Sequence, residues 1–384
     1  MRARPGPRHP LPIGRILQRS TRRTVLVAAA AAAALGLGAV PAAAQGPEAP
    51  TPLAIPEPTG AYATGTTAIH LVDEDRADVW VPAERRELMV TMWYPTADDG
   101  PTAPYMTAEE SALFGAQLGI PADLLAQVQT NSVPGAEPLA DDGSLPLVVL
   151  SPGFSFPRAT LTGLAEELAS QGYAVAAVGH NYEAPISFPD RTTECITCED
   201  DIDGDTLVPN RAADLDFVVE ELEAGAWDGA DRIDFDRIAV GGHSIGGASA
   251  HRTLADYERF DAGFNLDGTF FALDPKPVRE PFLMVGAEAH GQPGEDDSWD
   301  KAWKKLRGWK RWITVDGTGH SAMTDLAPLA EQAGLNEDAT DGFRSSDIAR
   351  TYVTAFLDAH LRCEDEPVLD GPSAEWPEVE FHNP

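Results

Sequence analysis

The 384-residue chain has few cationic side chains, few cysteines and few long apolar runs. Lysine and arginine together number 28 against 61 aspartates and glutamates, a net charge of −33. So acidic a surface repels phosphate groups, which excludes nucleic acid and anionic membranes as general partners. The one uncharged apolar run near membrane-spanning length, residues 25–40, is rich in alanine and glycine. We therefore expect no stable membrane insertion.

Cysteine occurs only three times, as Cys195, Cys198 and Cys363. An odd number cannot pair completely within one chain, and Cys195 and Cys198 lack the second pair of cysteines or histidines that a zinc site needs. We expect no metal at these cysteines and one disulfide bond that involves two of the three. The sequence leaves open which two.

The first 44 residues have the order of an export signal. Seven arginines and no acidic residue precede the apolar run, with Arg22 and Arg23 near its start, and small residues close it at 42–44. Basic, apolar and small-residue regions in this order are typical of export, and the arginine pair indicates the twin-arginine route. An ordinary secretory signal is the alternative. Removal of residues 1–44 leaves 21 basic and 61 acidic residues, a net charge of −40, on a protein that we expect to be secreted and extracellular.

The mature sequence predicts one domain of alternating strands and helices. Residues 45–60 form a proline-rich lead-in, and residues 61–384 form the domain. Short segments that are apolar on both faces predict buried parallel strands, and the helical patterns between them predict an α/β fold, a doubly wound, mostly parallel sheet with helices on both faces. The predicted strands are 66–72, 88–94, 145–150, 173–178, 237–241, 263–266, 281–285 and 311–315, and the helices are 160–171, 211–224, 247–257, 298–307 and 346–361.

Two stretches, about 101–139 and 182–209, do not follow this alternation. We interpret them as insertions at the rim of a site, because long irregular connections in compact domains are often functional. The second contains 199–205, which is similar to the start of a calcium loop. Its twelfth position is Asn210, which cannot chelate bidentately, so we interpret it as a solvated acidic loop.

A nucleophilic serine is the strongest chemical prediction. The segment Gly242-His243-Ser244-Ile245-Gly246 joins a predicted strand to a predicted helix. Such a turn strains the backbone of the serine and requires glycine two residues to each side, and it exposes the hydroxyl at the helix N-terminus. Ser244 is therefore the candidate nucleophile, in preference to an ordinary helix-capping serine.

A serine nucleophile needs a base, and the base needs a carboxylate. Nine histidines compete, and His320 is favoured because it lies in a glycine-rich turn directly after the strand 311–315. Asp267 and Glu288 each follow a strand and each fit the order serine, acid, histidine. Asp267 is favoured as the shorter side chain, and Asp316 is a third choice that we interpret as a turn former.

Two backbone N–H groups should stabilise negative charge on the substrate oxygen. Ile245 follows the nucleophile at the helix N-terminus, and Phe154 lies in Ser151-Pro152-Gly153-Phe154 after the strand 145–150. We therefore predict Phe154 and Ile245 as oxyanion-hole residues. The reaction requires no cofactor and no metal.

Tryptophans interleaved with basic residues occupy 299–312. This pattern suits a lipid or polymer surface, but a helix packed by its tryptophans against the sheet is the favoured interpretation.

The chain resembles an α/β-hydrolase, and within that fold it is similar to the platelet-activating factor acetylhydrolase family and its bacterial lipase-like relatives. The matching stretches are 150–154, 173–180, 242–247, 266–268 and 319–320. This resemblance implies the acid at Asp267 rather than Glu288, and oxyanion donors at Phe154 and Ile245. Pro152 departs from the histidine of animal members, and cutinase-like polyester hydrolases have a Pro-Gly-Phe turn at that position.

Together these observations predict a serine-dependent carboxylic ester hydrolase that acts on short-acyl small-molecule esters or lipids. A cutinase-like polyester depolymerase, whose partner would be a polymer surface, is the alternative. A non-catalytic secreted binding protein on the same scaffold is a third hypothesis.

Overall fold

A sheet of ten strands organises the described part of the chain. The structure is a computed structural model that describes residues 52–199, 203–271, 273, 276–288 and 291–383. The predicted export signal, the start of the lead-in and the centre of the acidic loop 199–205 lie outside these residues. Residues Leu53–Pro384 form one compact unit. None of the described helices is both long enough and apolar enough to cross a membrane.

Within the described residues, strands and helices alternate along most of the chain. The strands are β1 (Ala63–Ala77), β2 (Arg85–Thr96), β3 (Val133–Pro134), β4 (Leu145–Ser151), β5 (Ala174–His180), β6 (Ile186–Ser187), β7 (Thr192–Thr193), β8 (Ile233–His243), β9 (Ala262–Leu266), β10 (Phe282–Ala287), β11 (Lys310–Val315) and β12 (Val379–His382). The α-helices are α1 (Ala108–Leu118), α2 (Thr162–Ser170), α3 (Gly204–Glu223), α4 (Ile245–Asp256), α5 (Asp297–Lys305), α6 (Leu326–Gln332) and α7 (Gly342–Leu361).

The sheet is mostly parallel, as predicted. Its order is β12-β11-β10-β9-β8-β4-β5-β2-β1-β3. The six strands from β11 to β5 run parallel, whereas β2 pairs antiparallel with β5 and β12 pairs antiparallel with β11. Because parallel strands end at one edge of a sheet, β4, β8, β9 and β11 bring the segments that follow them to that edge.

Both faces of the sheet are buried, because alternate residues of each central strand face opposite sides. Leu147 and Val149 of β4 belong to one apolar cluster, which includes Leu215 of α3. Val148 and Leu150 belong to a second cluster, which includes residues of α2 and α7. Helices therefore cover both faces and hold the strand ends in place.

Several boundaries differ from prediction. The helix predicted at 211–224 begins at Gly204, so residues 204–209 of the irregular second insertion are helical. The first insertion, which was expected to be irregular, contains α1 at Ala108–Leu118 and a 3₁₀ turn at Leu125–Gln127. β12 lies beyond the last helix that the sequence predicted.

The tryptophans of 299–312 are mostly core residues. Trp299 and Trp312 are fully buried and Trp303 is nearly so. The rings of Trp299 and Trp312 lie 5.5 Å apart. The structure thus favours packing against the sheet over an aromatic contact surface.

The structure pairs Cys195 with Cys198, while Cys363 is exposed as a free thiol.

Candidate active site

Ser244 occupies a strained turn between β8 and α4. Its φ of 56° lies in the left-handed region, which is rare for a residue with a side chain. The Ser244 N–H donates to the Leu266 carbonyl (2.8 Å), which ties the turn to β9. A Cβ at Gly242 or Gly246 would lie 2.1 Å or 1.9 Å from the Ser151 carbonyl oxygen. Glycine is therefore required at both positions, as the sequence predicted.

His320 and Asp267 lie beside this serine. His320 Nε2 lies 2.9 Å from Ser244 Oγ, and His320 Nδ1 lies 2.6 Å from Asp267 Oδ2. Asp267 is fully buried, whereas the side chain of His320 is 44% exposed. The structure thus brings together, from three separate loops, the serine, histidine and aspartate that the sequence singled out.

The turn after β9 holds Asp267 in a fixed orientation. Asp267 also has a positive φ, 55°, and its Oδ1 accepts from the Ala287 N–H (2.7 Å). The side chain of Asn265 bonds the backbone of Gly268 in both directions. A Cβ at Gly268 would lie 2.0 Å from the Ser244 carbonyl oxygen, so the glycine allows this turn to pack against the serine turn.

The competing carboxylates lie elsewhere. Glu288 is exposed, and its Oε2 accepts from the Gly317 N–H (2.7 Å) in the loop that carries His320. It therefore supports the backbone of that loop. Asp316 is also exposed, at the start of the same loop.

His243, the residue before the nucleophile, also contacts His320. Its Nε2–H donates to the His320 carbonyl (2.7 Å), and its ring stacks against Phe156. Burial lowers the pKa of His243 to about 3, with the neighbouring His320 acting in the same direction, so the ring is neutral. A histidine next to the nucleophile gave no sign of this contact, because its partner is a backbone atom 77 residues away.

Ile245 follows Ser244 directly, and Phe154 packs against the apolar cluster that contains Ile245. The first N–H groups of a helix have no partner within the helix, and Ile245 is the first residue of α4. Within the described residues, the Phe154 N–H donates to no backbone carbonyl. Gly153 allows the backbone before Phe154 to pack closely against His243, since a Cβ at Gly153 would lie 2.8 Å from His243 Nδ1.

An apolar cluster adjoins both residues. Ile245, Ala248, Leu207 and Val208 are buried together, and the partly buried rings of Trp80, Phe154 and Phe271 pack against them. Leu207 and Val208 come from the second insertion. Trp80 and Phe271 were not singled out in the sequence, because both lie in loops that carry no recognisable motif.

The first insertion also packs near the site. Its residue Phe114 contacts Phe156 edge to face, with ring centroids 5.6 Å apart. Both insertions therefore contact the chain around residues 154–156, which includes the predicted oxyanion residue Phe154.

The fold and the three-loop site define an α/β-hydrolase. The family model of platelet-activating factor acetylhydrolase, isoform II, matches residues 52–188 and 191–366, and the chain belongs to this family. A solved ferulic acid esterase from Streptomyces cinnamoneus is 43% identical with a TM-score of 0.79, and the match covers 87% of this chain and all of that chain.

Curated relatives are more distant. A probable 1-alkyl-2-acetylglycerophosphocholine esterase of Arthroderma benhamiae is 25% identical over 386 residues, which cover 86% of this chain and 94% of the relative. Cutinase 2 of Thermobifida cellulosilytica is 27% identical over 188 residues, 49% of this chain and 60% of the cutinase. The chain thus belongs to a family of ester-hydrolysing enzymes.

Proposed function

We propose that this protein is a serine-dependent carboxylic ester hydrolase that works through an acyl-enzyme. The observation that carries the proposal is the continuous contact from Ser244 Oγ through the His320 ring to the buried carboxylate of Asp267. Ser244 attacks the ester carbonyl while His320 accepts its proton, and His320 then donates that proton to the leaving alcohol. Asp267 holds the tautomer in which Nε2 can accept, and it stabilises the imidazolium. Water, activated by the same histidine, releases the acid and restores the serine.

In this mechanism the Phe154 and Ile245 N–H groups bind the oxyanion. Both are backbone donors, so they are fixed by the fold and need little reorganisation during the reaction. The helix N-terminus at Ile245 adds the favourable end of the α4 dipole. The proposed reaction uses no cofactor or metal.

The acyl group is expected to be small, and the apolar cluster beside Ile245 is the proposed place for it. Three of its members, Trp80, Phe154 and Phe271, are aromatic and partly buried. Aromatic side chains bind planar rings well, by stacked or edge-to-face contacts. An aromatic acyl group is therefore a second candidate beside a short alkyl one, in agreement with the similarity to a ferulic acid esterase.

The polyester hypothesis rests on a similarity to cutinases that covers half of the chain. The tryptophans that suggested a polymer surface are mostly buried.

Export through the twin-arginine route, and hence an extracellular location, remains part of the proposal on the strength of residues 1–44. The acidic surface favours uncharged ester substrates over nucleic acid.

Hydrolysis of a chromogenic acetate ester by the wild type and by Ser244→Ala tests the reaction class. We expect measurable hydrolysis by the wild type and a loss of at least about 10³-fold in the variant. Equal rates would refute the proposal. Failure of a fluorophosphonate to label Ser244 in folded wild-type protein would favour the non-catalytic binding protein.

A series of acetyl, hexanoyl and feruloyl esters of one alcohol separates the substrate candidates. A kcat/KM that falls from acetyl to hexanoyl supports a short acyl group, and a higher value for feruloyl than for hexanoyl supports the aromatic one. Release of monomers from a polyester film, with slow hydrolysis of all three esters, would support the depolymerase.

A further inference from the structure

A cluster of buried charged residues lies next to the segment Ser151–Ser155, which we call the oxyanion loop, and the proposed mechanism uses none of it. Arg86, Arg211, Asp214 and Glu183 are each at most 1% exposed. Each buried ion costs several kcal/mol of desolvation, and ion pairs of this kind are weak evidence for stability. Their contacts with the oxyanion loop indicate another role.

Arg211 of α3 joins the oxyanion loop to Glu183. Its Nε donates to Glu183 Oε2 (2.6 Å), and its Nη1 donates to the Pro152 carbonyl and to Ser151 Oγ (3.2 Å). The guanidinium is planar, so fixing one edge on the carboxylate fixes the direction of the other donors. Arg211 thereby fixes the orientation of the Pro152 carbonyl.

Glu183 holds the other end of the loop. Its backbone carbonyl accepts from the Ser155 N–H (3.0 Å), and its Oε1 accepts from Trp80 Nε1 (2.9 Å). Ser155 has a positive φ of 67°, a conformation that needs such support. The peptide that carries the Phe154 N–H lies between the two anchored peptides, so their orientations set its direction.

A third contact fixes the start of the loop. Ser151 Oγ lies 2.9 Å from His180 Nε2, and His180 Nδ1 lies 2.8 Å from Asp214 Oδ2. Burial, with the nearby Arg211 guanidinium, lowers the pKa of His180 to about 4, so the ring is neutral. Neutral His180 can then donate from Nδ1 to Asp214 and accept the Ser151 hydroxyl proton at Nε2.

Ser151, His180 and Asp214 are connected through the same atoms as the proposed catalytic serine, histidine and aspartate, but they have no access to substrate. Ser151 and Asp214 are fully buried and His180 is 2% exposed. Since an ester cannot reach Ser151, the arrangement has a structural use.

We propose that Arg211 and Glu183 are positioning residues that aim the Phe154 N–H at the oxyanion. The inference rests on the proposed function, because it presupposes that Phe154 is an oxyanion donor. Loss of one oxyanion donor costs about 10² to 10³ in kcat. A donor that is present but misoriented should lower kcat by less, about 10-fold to 100-fold, and should leave ground-state binding of the substrate unchanged.

The test compares Arg211→Met and Arg211→Lys with Arg350→Met. Arg350 of α7 is a similarly buried arginine that binds the Glu57 carbonyl (3.1 Å) and Asp347, so it controls for the loss of a buried charge. We measure kcat and KM for a chromogenic acetate ester, the melting temperature, and inhibition by a trifluoromethyl ketone, which forms an oxyanion on the nucleophile.

We expect Arg211→Met to lower kcat about 10-fold to 100-fold with KM within about threefold. We expect the trifluoromethyl ketone to bind more weakly by a similar factor. Arg350→Met should lose as much melting temperature while its kcat stays within about twofold. Lysine keeps the charge but not the planar fork, so Arg211→Lys should fold and lose about 3-fold to 10-fold in kcat.

Unchanged kcat and inhibitor binding in folded Arg211→Lys and Arg211→Met would overturn the inference. So would equal losses of kcat in the Arg211 and Arg350 variants. If Arg211→Met does not fold, Arg211→Lys decides by the same criteria. A wild type without esterase activity, or a Ser244→Ala variant that retains it, would instead refute the proposed function.

Discussion

Replacing Asp267 by asparagine should nearly abolish activity without unfolding the protein. Asp267 is fully buried, with one oxygen 2.6 Å from His320 Nδ1 and the other bonded to the Ala287 N–H at 2.7 Å. In Asp267→Asn the amide oxygen must stay on the Ala287 N–H, because an amide NH₂ there would face a donor. The NH₂ group then faces His320 Nδ1, which must become an acceptor. The proton moves to Nε2, and the histidine can no longer accept the Ser244 proton.

The expected cost is large, because the wrong tautomer removes the base entirely. The same substitution in a serine protease triad lowers kcat about 10⁴-fold, or about 5.4 kcal/mol at 1.36 kcal/mol per factor of ten. Steady-state hydrolysis of a chromogenic acetate ester measures it, with circular dichroism to show that the variant is folded.

The chain offers a matched control in Glu288→Gln. Glu288 follows the next strand and accepts from the Gly317 N–H, a bond that the glutamine oxygen can keep. We expect kcat within about threefold of the wild type, since uncharged surface replacements usually have small effects. A large loss in Glu288→Gln together with a small one in Asp267→Asn would show that the acid has been assigned wrongly.

Three further results are expected. Gly246→Ala should destabilise the fold by roughly 3 kcal/mol or more and lower kcat, because its Cβ would lie 1.9 Å from the Ser151 carbonyl oxygen. Denaturant unfolding checks this. Gly371→Ala serves as a nearly neutral control, because no atom lies within 4 Å of the added Cβ. The pKa of His243 is about 3 in the folded protein and about 6.5 in the unfolded chain. Below pH 6.5 the unfolded state therefore binds more protons, and the free energy of unfolding decreases as the pH is lowered. Between pH 7 and 4.5 this histidine should account for about 2.5 kcal/mol, so His243→Gln should show that much less pH dependence in urea unfolding, and equal slopes would contradict it. Trp299→Ala should cost about 3 to 5 kcal/mol of stability with KM unchanged, and a raised KM in protein that remains folded would instead support a substrate-binding role for this segment.

The alternation of buried strands and helices could be read from the sequence because each central strand is apolar on both faces. All eight predicted strands correspond to strands of the structure. The two-residue strands β3, β6 and β7 were missed because they are too short to show a period, and β12 was missed because Glu380 and His382 interrupt its apolar residues. The start of α3 was missed because it contains Pro209, which usually marks a helix boundary.

The site residues could be predicted from the sequence for a different reason. A glycine-flanked serine, and a histidine or carboxylate directly after a strand, are local patterns, and the parallel sheet brings the strand ends together. The contacts of Arg211, Glu183 and Trp80 were not accessible, because each joins elements distant in sequence and none leaves a local pattern. Glu288 and Asp267 fit the same strand-end pattern. Side-chain length and the family resemblance favoured Asp267, and the packing of the turn after β9 places its carboxylate beside His320.

The most direct test of the account is rapid-quench mass spectrometry of the wild type during turnover of a chromogenic acetate ester. The account predicts one acetyl group on the peptide that contains Ser244, formed and lost at rates consistent with kcat, and no such adduct in Ser244→Ala. Turnover without any adduct on that peptide, or with an adduct on another residue, would contradict the account.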